Sequence, residues 1–218
     1  MSSGDAERWL DIVADRGVPW VDFSGGEPLL HPDVGSLLGH ARDRGLGITL
    51  STNGLIVGRF RERLKGLVDQ CNTSVHGIAA THDETVGVRG SYDAVIGAIS
   101  SFADSGTVVH VTVVVTVDNV HEVPTVIDVV HAAGARKICF NYVFKRGKGA
   151  GFIASSGEQQ LKGLVGHVRE HLARMPGRRM TVYHNCNLDG QCVLVRPKGM
   201  IWGVPMQNAQ DYIEVGHM

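Results

Sequence analysis

Short apolar runs alternate with longer amphipathic segments along most of this chain. Runs of Val, Ile and Thr bounded by Gly or Pro are typical of strands, whereas apolar residues that recur every three or four positions are typical of helices. The predicted strands cover residues 18–24, 47–51, 69–75, 107–117, 137–144 and 180–184. The predicted helices cover residues 5–16, 32–45, 57–68, 91–103, 121–133 and 158–174.

The order of these elements predicts an α/β fold. A strand that alternates with a helix about every 25 to 35 residues is typical of a parallel sheet with right-handed crossovers. The strand at 107–117 is Val or Thr at every position except His110, which predicts that it is buried on both faces. The pattern changes after residue 184, and residues 192–202 predict a small hairpin with Gly199 in its turn. We therefore divide the chain into an α/β core at 1–184 and an appendage at 185–218.

Length and charge narrow the classes of function. The 218 residues suffice for one domain with an appendage, and 21 basic against 22 acidic residues give a net charge of −1. This balance argues against duplex nucleic acid or an anionic membrane surface as a partner. The polar N-terminus lacks the apolar core of a signal peptide, and no run reaches the roughly 18 apolar residues of a membrane span. We expect a cytoplasmic protein, and the 4 scattered cysteines suit a reducing compartment.

Three predicted strands end in polar or glycine-rich segments. The segments are Ser24-Gly25-Gly26-Glu27-Pro28, Ser51-Thr52-Asn53-Gly54 and Asn72-Thr73-Ser74-Val75-His76-Gly77. In a parallel α/β sheet, ligands bind outside the carboxyl ends of the strands. Two successive glycines let the backbone approach a ligand closely, while Glu27 needs a cationic or hydrogen-bonded partner if it is buried. A plain turn is the alternative for each segment taken alone, but their succession predicts one polar ligand site.

The ordered set of segments resembles the radical S-adenosylmethionine (SAM) superfamily. The resemblance rests on Ser-Gly-Gly-Glu-Pro-Leu-Leu-His-Pro-Asp at 24–33, followed by Ser-Thr-Asn-Gly and Ser-Val-His-Gly on the next two strands. Asp118-Asn119 and Arg-Gly-Lys-Gly at 146–149 fit the same pattern. The resemblance implies a partial (β/α)6 barrel, here without its first strand. It also implies an enzyme in which a [4Fe-4S] cluster reduces SAM and the 5′-deoxyadenosyl radical abstracts hydrogen from a small-molecule or peptide substrate.

The resemblance further implies roles for individual residues. The positions implied to contact SAM lie at the ends of four strands and are Ser24, Gly25, Gly26, Glu27, Thr52, Asn53, Ser74, His76 and Asn141. The first four correspond to the segment that holds the methionine amino group. Those on the next two strands correspond to positions that face the carboxylate or ribose, with His76 as the further candidate there. Asn141 lies on the strand that borders the adenine.

The cysteines depart from the family pattern. The family holds its cluster with Cys-x3-Cys-x2-Cys on the loop after the first strand, whereas no cysteine precedes Cys71 here. Cys71 and Cys139 fall on predicted strands, where a buried small hydrophobe is the better interpretation. Because thiolates must ligate such a cluster, we expect that this chain alone does not cleave SAM reductively.

Three interpretations of this departure stay open. The coding start is placed too late, or the chain is a fragment of a longer protein. Alternatively, the chain is an inactive SAM-binding pseudoenzyme or partner subunit. In the third interpretation a partner chain supplies the missing strand and covers the edge beside 18–24, which is otherwise an aggregation hazard. An unrelated βα barrel that acts on a phosphorylated metabolite is a more distant alternative.

The C-terminal segment resembles the start of the auxiliary-cluster extension called SPASM or twitch. In that pattern a cysteine precedes a hairpin with a glycine turn, and another cysteine follows the glycine by five residues; that position is Val204 here. The resemblance makes Cys186 and Cys192 candidate metal ligands for an auxiliary cluster. Two thiolates do not complete a [4Fe-4S] set, so free or paired structural cysteines are the alternative.

Overall fold

The computed structural model describes residues 1–116 and 118–142, together with residues 168, 170, 171, 174, 181–186, 191–195 and 201–205. Its strands are β1 (Trp20–Phe23), β2 (Gly47–Ser51), β3 (Gln70–Ser74), β4 (Val108–Val115), β5 (Lys137–Tyr142), β6 (Thr181–Cys186), β7 (Gln191–Val195) and β8 (Ile201–Pro205). Its helices are α1 (Ser3–Asp15), α2 (Val34–Asp43), α3 (Arg61–Leu64), α4 (Ala80–Val86), α5 (Ser91–Asp104) and α6 (Val123–Ala132).

The strands form one sheet whose spatial order follows the chain from β1 to β8. Strands β1 to β6 pair in parallel, each with the next. Strand β7 then pairs antiparallel with β6 and with β8. Parallel strands joined by helices confirm the predicted α/β class, and the β7–β8 pair confirms the predicted C-terminal hairpin.

The helices lie against one face of the parallel sheet. In α5, Val95, Ile99 and Phe102 are buried at the spacing of an amphipathic helix. In β4, alternate residues from Val109 to Val115 are buried, and these side chains join the helix residues in one apolar core. Burial of this shared layer, at about 25 cal/mol per Å² of apolar surface, holds the helices to the sheet.

Strand β4 differs from its prediction in one respect. Its burial alternates along its length, so one face is fully buried and the face that carries His110 and Thr112 is only half-buried. The prediction of burial on both faces is therefore wrong. The reason is that the second face of the sheet borders a cavity instead of a second packed layer.

Two helical segments also differ from the sequence pattern. Residues 57–68 do not form one helix: a 3-10 turn at Val57–Arg59 is followed by the single turn of α3. Gly66 follows α3 with a φ of 75°, a conformation that ends a helix and favours glycine. Helix α4 was not predicted, because Ala80–Val86 is short and polar and shows no apolar periodicity.

Other predicted features fall outside the described residues or at an edge. Residues 143–151, most of the helix at 158–174 and the turn at Gly199 are not among the described residues. Strand β1 pairs with β2 alone within the described sheet. No helix in the described part of the chain is both long and apolar enough to span a membrane.

Candidate functional site

The cavity face of the sheet carries polar residues toward the carboxyl ends of its strands. Ser51 of β2 pairs in register with Asn72 of β3, which pairs with His110 of β4. Two residues further along, Ser74 pairs with Thr112. Because alternate residues of a strand share a face, these five side chains form one polar surface.

Hydrogen bonds connect this surface from β1 to β5. The Asn72 amide donates to Ser51 Oγ at 3.3 Å, and that hydroxyl donates to the Asp22 carboxylate at 3.1 Å. On the other side, Gln70 donates to Asn72 at 3.0 Å and accepts from Lys137 Nζ at 3.2 Å. Burial raises the pKa of the Asp22 carboxyl, and the hydrogen bond from Ser51 partly opposes that rise. The network fixes the side chains of adjacent strands relative to one another.

Glu27 joins the loops that follow β1 and β2. Its carboxylate accepts from Thr52 Oγ1 at 2.9 Å, from the Asn53 amide at 2.8 Å and from the Leu29 amide at 3.1 Å. These three donors are the hydrogen-bonded partners that a partly buried carboxylate requires. Glu27 therefore uses its oxygens within the protein, where they hold the two loops together.

The two glycines before Glu27 lie at the mouth of the site and are both exposed. Gly25 has a φ of 135°, which an L residue with a Cβ rarely adopts. At Gly26 an added Cβ would meet no atom within 4 Å. A side chain at Gly26 would thus enter open space beside the loop without straining the backbone.

Asn119 locks the ends of β3 and β4 together. It is 2% exposed, and its amide donates to the carbonyls of His76 at 2.7 Å and Val114 at 2.8 Å. Its Oδ1 accepts from the Thr116 amide at 2.8 Å. The Val114 amide in turn donates to Nδ1 of His76 at 3.2 Å. The His76 ring is therefore held in one orientation.

Helix α4 adds a second imidazole beside the first. The His76 amide donates to Nδ1 of His82 at 3.0 Å, and the two rings stack with centroids 5.8 Å apart. The Tyr92 ring meets the His82 ring edge-on at 6.1 Å. Each histidine accepts a backbone N–H at Nδ1, so the neutral form of each ring carries its proton on Nε2.

Burial keeps these imidazoles neutral. It lowers the pKa of His76 to about 4, with a further contribution from His82. Burial also lowers the pKa of His82, although the neighbouring Asp83 carboxylate acts in the opposite direction. On β4, burial and then the Lys137 ammonium lower the pKa of His110 to about 4. Near neutral pH the three rings therefore act as uncharged hydrogen-bonding groups.

A cavity of about 640 Å³ lies at the carboxyl ends of β1 to β4. Its volume is within the range of about 300–1,000 Å³ that is usual for small-ligand pockets. The described residues that line it are Gly25, Gly26, Ser51, Thr52, Asn53, Leu55, Asn72, Thr73, Ser74, His76, His82, Val86, Val88, Ser91, His110 and Thr112. Every polar residue in this set is an alcohol, an amide or an imidazole, so the described wall offers hydrogen bonds without formal charge.

Six of the nine residues predicted to bind a cofactor line this cavity: Gly25, Gly26, Thr52, Asn53, Ser74 and His76. Ser24 and Glu27 do not line it, although they flank the two glycines. Asn141 of β5 is half-buried, accepts a hydrogen bond from the Cys139 thiol at 3.5 Å and is not among the described lining residues. Whether any of the nine contacts a cofactor stays a prediction.

Sequence reasoning missed part of the wall. His110 and Thr112 lie in the interior of β4, and the register of β3 with β4 brings them to the cavity. Their signal was the interruption of apolar strands by a polar residue at every second position. His82 lies on the unpredicted helix α4, and no local pattern marks it as a wall residue.

The cysteines of the described core do not form a metal site. Cys71 and Cys139 are both buried, as predicted, and neither is part of a disulfide among the described residues. Burial, and then the nearby Glu27 carboxylate, raises the pKa of the Cys71 thiol, which disfavours the thiolate. Within the described residues, no three His, Cys, Asp or Glu side chains are grouped to hold a metal ion.

The candidate ligands of the C-terminal segment lie on adjacent strands. Cys186 of β6 pairs with Gln191, and Cys192 of β7 pairs with Asn185. On its other side Cys192 pairs with Val204 of β8. The backbone thus brings the two cysteines to neighbouring register positions, and their role in metal binding stays a prediction.

Comparisons with known proteins agree on one family. The family model of the Radical SAM superfamily matches residues 1–130. The chain is 26% identical over 195 residues to the Fe-coproporphyrin III synthase of Methanosarcina barkeri, covering 86% of this chain and 49% of that protein. It is 33% identical over 137 residues to the AdoMet-dependent heme synthase of Nitratidesulfovibrio vulgaris, covering 62% of this chain and 37% of that protein. The chain therefore spans half or less of the length of these relatives.

The fold is similar to that of a solved structure. SuiB of Streptococcus suis, in a crystal structure bound to S-adenosylmethionine, matches with a TM-score of 0.72 at 19% identity. The match covers 85% of this chain and 44% of SuiB. A second SuiB structure, bound to the precursor peptide SuiA, matches with a TM-score of 0.71. At this identity the likeness supports the partial-barrel fold and nothing finer.

The order of the strand-end segments, the parallel sheet and the cavity at its carboxyl edge agree with these comparisons. The family match covers residues 1–130 of 218, which is more than half of the chain. This chain belongs to the radical SAM superfamily.

Proposed function

We propose that this chain is the SAM-binding core of a radical SAM enzyme and that SAM binds in the cavity at the carboxyl ends of β1 to β4. One observation carries the proposal. Six residues from three successive strand-end segments, which the family resemblance assigns to SAM, line a single cavity of about 640 Å³. The SAM-bound neighbour of the same fold supports it.

The residues of the wall fit the polar end of SAM. Gly25 and Gly26 expose their backbone, which can approach the ammonium of the methionine moiety with carbonyl oxygens. The Ser74 hydroxyl and Nε2–H of His76 are hydrogen-bond donors for its carboxylate or ribose. Glu27 contributes indirectly, since its bonds to Thr52 and Asn53 position the second loop. Bound SAM would supply a 5′-deoxyadenosyl radical once its sulfonium is reduced.

The residues of this chain do not fit the cluster that performs that reduction. The sequence holds 4 cysteines with no Cys-x3-Cys-x2-Cys spacing, and Cys71 and Cys139 are buried. A [4Fe-4S] cluster needs thiolate ligands. We therefore assign no reductive step to the described residues. A second candidate function follows from the same cysteines: a pseudoenzyme or partner subunit that binds SAM without cleaving it.

The substrate belongs to the proposal as a class. The matched relatives are named for tetrapyrrole synthesis, and SuiB was solved with a precursor peptide. We propose that the substrate is a small molecule or a peptide that enters the same cavity. We also propose that residues 185–218 form the start of an auxiliary-cluster extension, with Cys186 and Cys192 as two of its ligands, and that the protein works in the cytoplasm.

The pocket is tested by SAM titration of the full chain in a calorimeter. Gly26→Leu adds a large side chain at a residue that lines the cavity, without backbone strain, so SAM affinity should fall by about 10- to 100-fold, the equivalent of roughly 1–3 kcal/mol. Gly97→Leu is the matched control, because Gly97 is exposed on α5 and its Cβ would also meet open space. Equal SAM affinity for wild type and Gly26→Leu would refute the pocket.

Iron and sulfide counting after anaerobic reconstitution separates the two candidate functions. Bound SAM with no bound cluster would support the pseudoenzyme or partner subunit. A bound [4Fe-4S] cluster together with release of 5′-deoxyadenosine under reduction would support the enzyme and would contradict the ligand deficit described above.

A further inference from the structure

The α4 side of the cavity differs from the strand-end side in its chemistry. It brings together a buried imidazole and three exposed apolar side chains, namely His82, Leu55, Val86 and Val88. None of these four was predicted to bind the cofactor. We call this group the α4 wall.

The polar element of the α4 wall is a hydrogen-bond donor that the protein leaves unused. His82 is 3% exposed, and its Nδ1 accepts the His76 amide. Nε2 of His82 has no hydrogen-bond partner among the described residues. The neutral ring carries its proton on this nitrogen, and His82 lines the cavity, so a ligand there can reach the N–H. A ligand with an acceptor oxygen would supply the missing partner.

The imidazole is held in place by contacts from distant segments. The Asp83 carboxylate accepts from the Tyr92 amide at 2.8 Å and from Ser91 Oγ at 2.8 Å, which ties α4 to the start of α5. The Glu122 carboxylate accepts from the Ile78 amide at 2.7 Å and from Thr81 Oγ1 at 2.8 Å, which fixes the turn before α4. A donor fixed in advance loses little entropy when it binds a ligand.

The apolar element lies beside this donor. Leu55, Val86 and Val88 are 37%, 41% and 43% exposed, and all three line the same cavity. Exposed aliphatic side chains that gather at the mouth of a pocket mark a contact surface for an apolar group. The donor and this surface together would hold an oxygen acceptor next to an aliphatic group.

The lack of charge on the α4 wall favours a neutral peptide over a carboxylate-bearing small molecule as the substrate. The α4 wall offers a single N–H, from an imidazole whose pKa is lowered, among three aliphatic side chains. A carboxylate placed there would lose water without the several donors that the strand-end side offers to the carboxylate of SAM, which is costly. A peptide amide carries no charge and presents both a carbonyl acceptor and an adjoining side chain.

Resting on the proposed function, we propose that the α4 wall is a substrate subsite for a peptide segment with an aliphatic residue. His82 Nε2–H donates to a backbone carbonyl of that segment, and the aliphatic side chain packs on Leu55, Val86 and Val88. The subsite leaves the two glycines and Asn53 to SAM, so cofactor and substrate contact different parts of one cavity.

The test uses the full chain with 15N-labelled histidine, with and without saturating SAM. The probes are N-acetyl-leucine N-methylamide, N-acetyl-leucine, which replaces the second amide by a carboxylate, and coproporphyrin III, which carries four carboxylates. We expect the neutral amide to shift the His82 Nε2 resonance and to bind about tenfold more tightly than N-acetyl-leucine, the equivalent of about 1.4 kcal/mol. Stronger binding of N-acetyl-leucine or of coproporphyrin III would overturn the proposal.

Variants separate the donor from the apolar surface. His82→Asn keeps an acceptor for the His76 amide through its Oδ1 but removes the Nε2 donor, so it should weaken amide binding by about tenfold. Val86→Ser with Val88→Ser should weaken it by a similar factor. Val108→Ser is the control, since Val108 is 38% exposed but lies outside the cavity lining. Unchanged amide binding in His82→Asn would refute the role of the donor.

SAM titration of the same variants keeps the two proposals apart. His82→Asn keeps an acceptor for the His76 amide, so it should lower SAM affinity by much less than it lowers amide affinity. If the wild-type protein binds SAM normally but does not bind the amide, the subsite is refuted and the proposed function is not. If the amide binds at the α4 wall but SAM does not bind, the proposed function is refuted and the subsite is not.

Discussion

The two sides of the cavity are built by different means. The strand-end side consists of short loops shaped by bonds between near neighbours, as when Thr52 Oγ1 accepts from the Gly54 amide at 3.2 Å, and joined to one another by the link from Glu27 to Thr52. The helix of the α4 side is fixed by residues far apart in sequence, such as Glu122 with Ile78 and with Thr81. Local geometry with one cross-loop link thus shapes the glycine-rich loops assigned to SAM, whereas longer-range contacts fix the helix of the side proposed for substrate.

The largest expected effect comes from breaking the tertiary lock. Asn119→Asp keeps the size of the side chain but replaces the amide donor by a carboxylate that faces two carbonyl oxygens. We expect the free energy of unfolding to fall by about 3–5 kcal/mol, as for other buried groups that lose their partners. Chemical denaturation measures the change. Asp118→Asn is the control, because Asp118 is adjacent in sequence and exposed. An equal loss of unfolding free energy in both variants would show that Asn119 does not hold the ends of β3 and β4 together.

The next largest effect comes from the link between the two strand-end loops. Glu27→Ala removes the acceptor of Thr52, Asn53 and Leu29, and hydrogen bonds to a charged group are worth about 1.5–3 kcal/mol. We expect the free energy of unfolding to fall by about 2–3 kcal/mol and SAM affinity to fall with it, because Asn53 loses its anchor. Glu62→Ala on α3 is the exposed control. A stable Glu27→Ala protein with normal SAM affinity would show that the link is dispensable.

The pH dependence of stability tests the buried imidazole of His76, which lies between the two sides of the cavity. The folded-state pKa of His76 is about 4, below the ordinary value of 6.5, so unfolding takes up a proton between these values. Stability should therefore be full above pH 6.5 and fall as the pH drops toward 4. His76→Asn keeps an acceptor for the Val114 amide but does not titrate. We expect it to reduce the loss of stability between pH 7.5 and pH 5 by about 1–2 kcal/mol.

Denaturant titrations at both pH values measure that difference. His121→Asn is the control for loss of an imidazole, since the His121 side chain is 72% exposed. If His76→Asn and the wild type lose the same stability over this interval, the neutral, buried state of His76 is wrong.

The smallest effect separates the two glycines. Gly25→Ala forces an alanine to a φ of 135°, so the free energy of unfolding should fall by about 1 kcal/mol or more. Gly26→Ala has neither a positive φ nor a neighbour within 4 Å, so its stability should change by less than about 0.5 kcal/mol. Thermal unfolding of the two proteins measures both values. A larger loss in Gly26→Ala than in Gly25→Ala would contradict the loop geometry.

Particular elements show why prediction succeeded on one side and failed on the other. Strand β2 matches its predicted bounds at Gly47–Ser51, because a short apolar run between glycine and polar residues has few other conformations. Helix α4 has 7 residues and no apolar stripe, so its helical form depends on packing and on the bonds around Asp83. The helix predicted at 57–68 fails for a related reason, since glycines interrupt a pattern that periodicity alone treats as continuous.

The sequence by itself determined the α/β order, the glycine-rich and polar strand ends and the family, since each depends on residues that are neighbours along the chain. Only the tertiary structure decided that His76, His82 and His110 line one cavity and that Asn119 donates to the His76 carbonyl. Asn119 and His76 are 43 residues apart in sequence, and Glu122 and Ile78 are 44 residues apart. The physical reason is that strand register and helix packing, which arise from burial of the shared core, set which distant polar groups become neighbours.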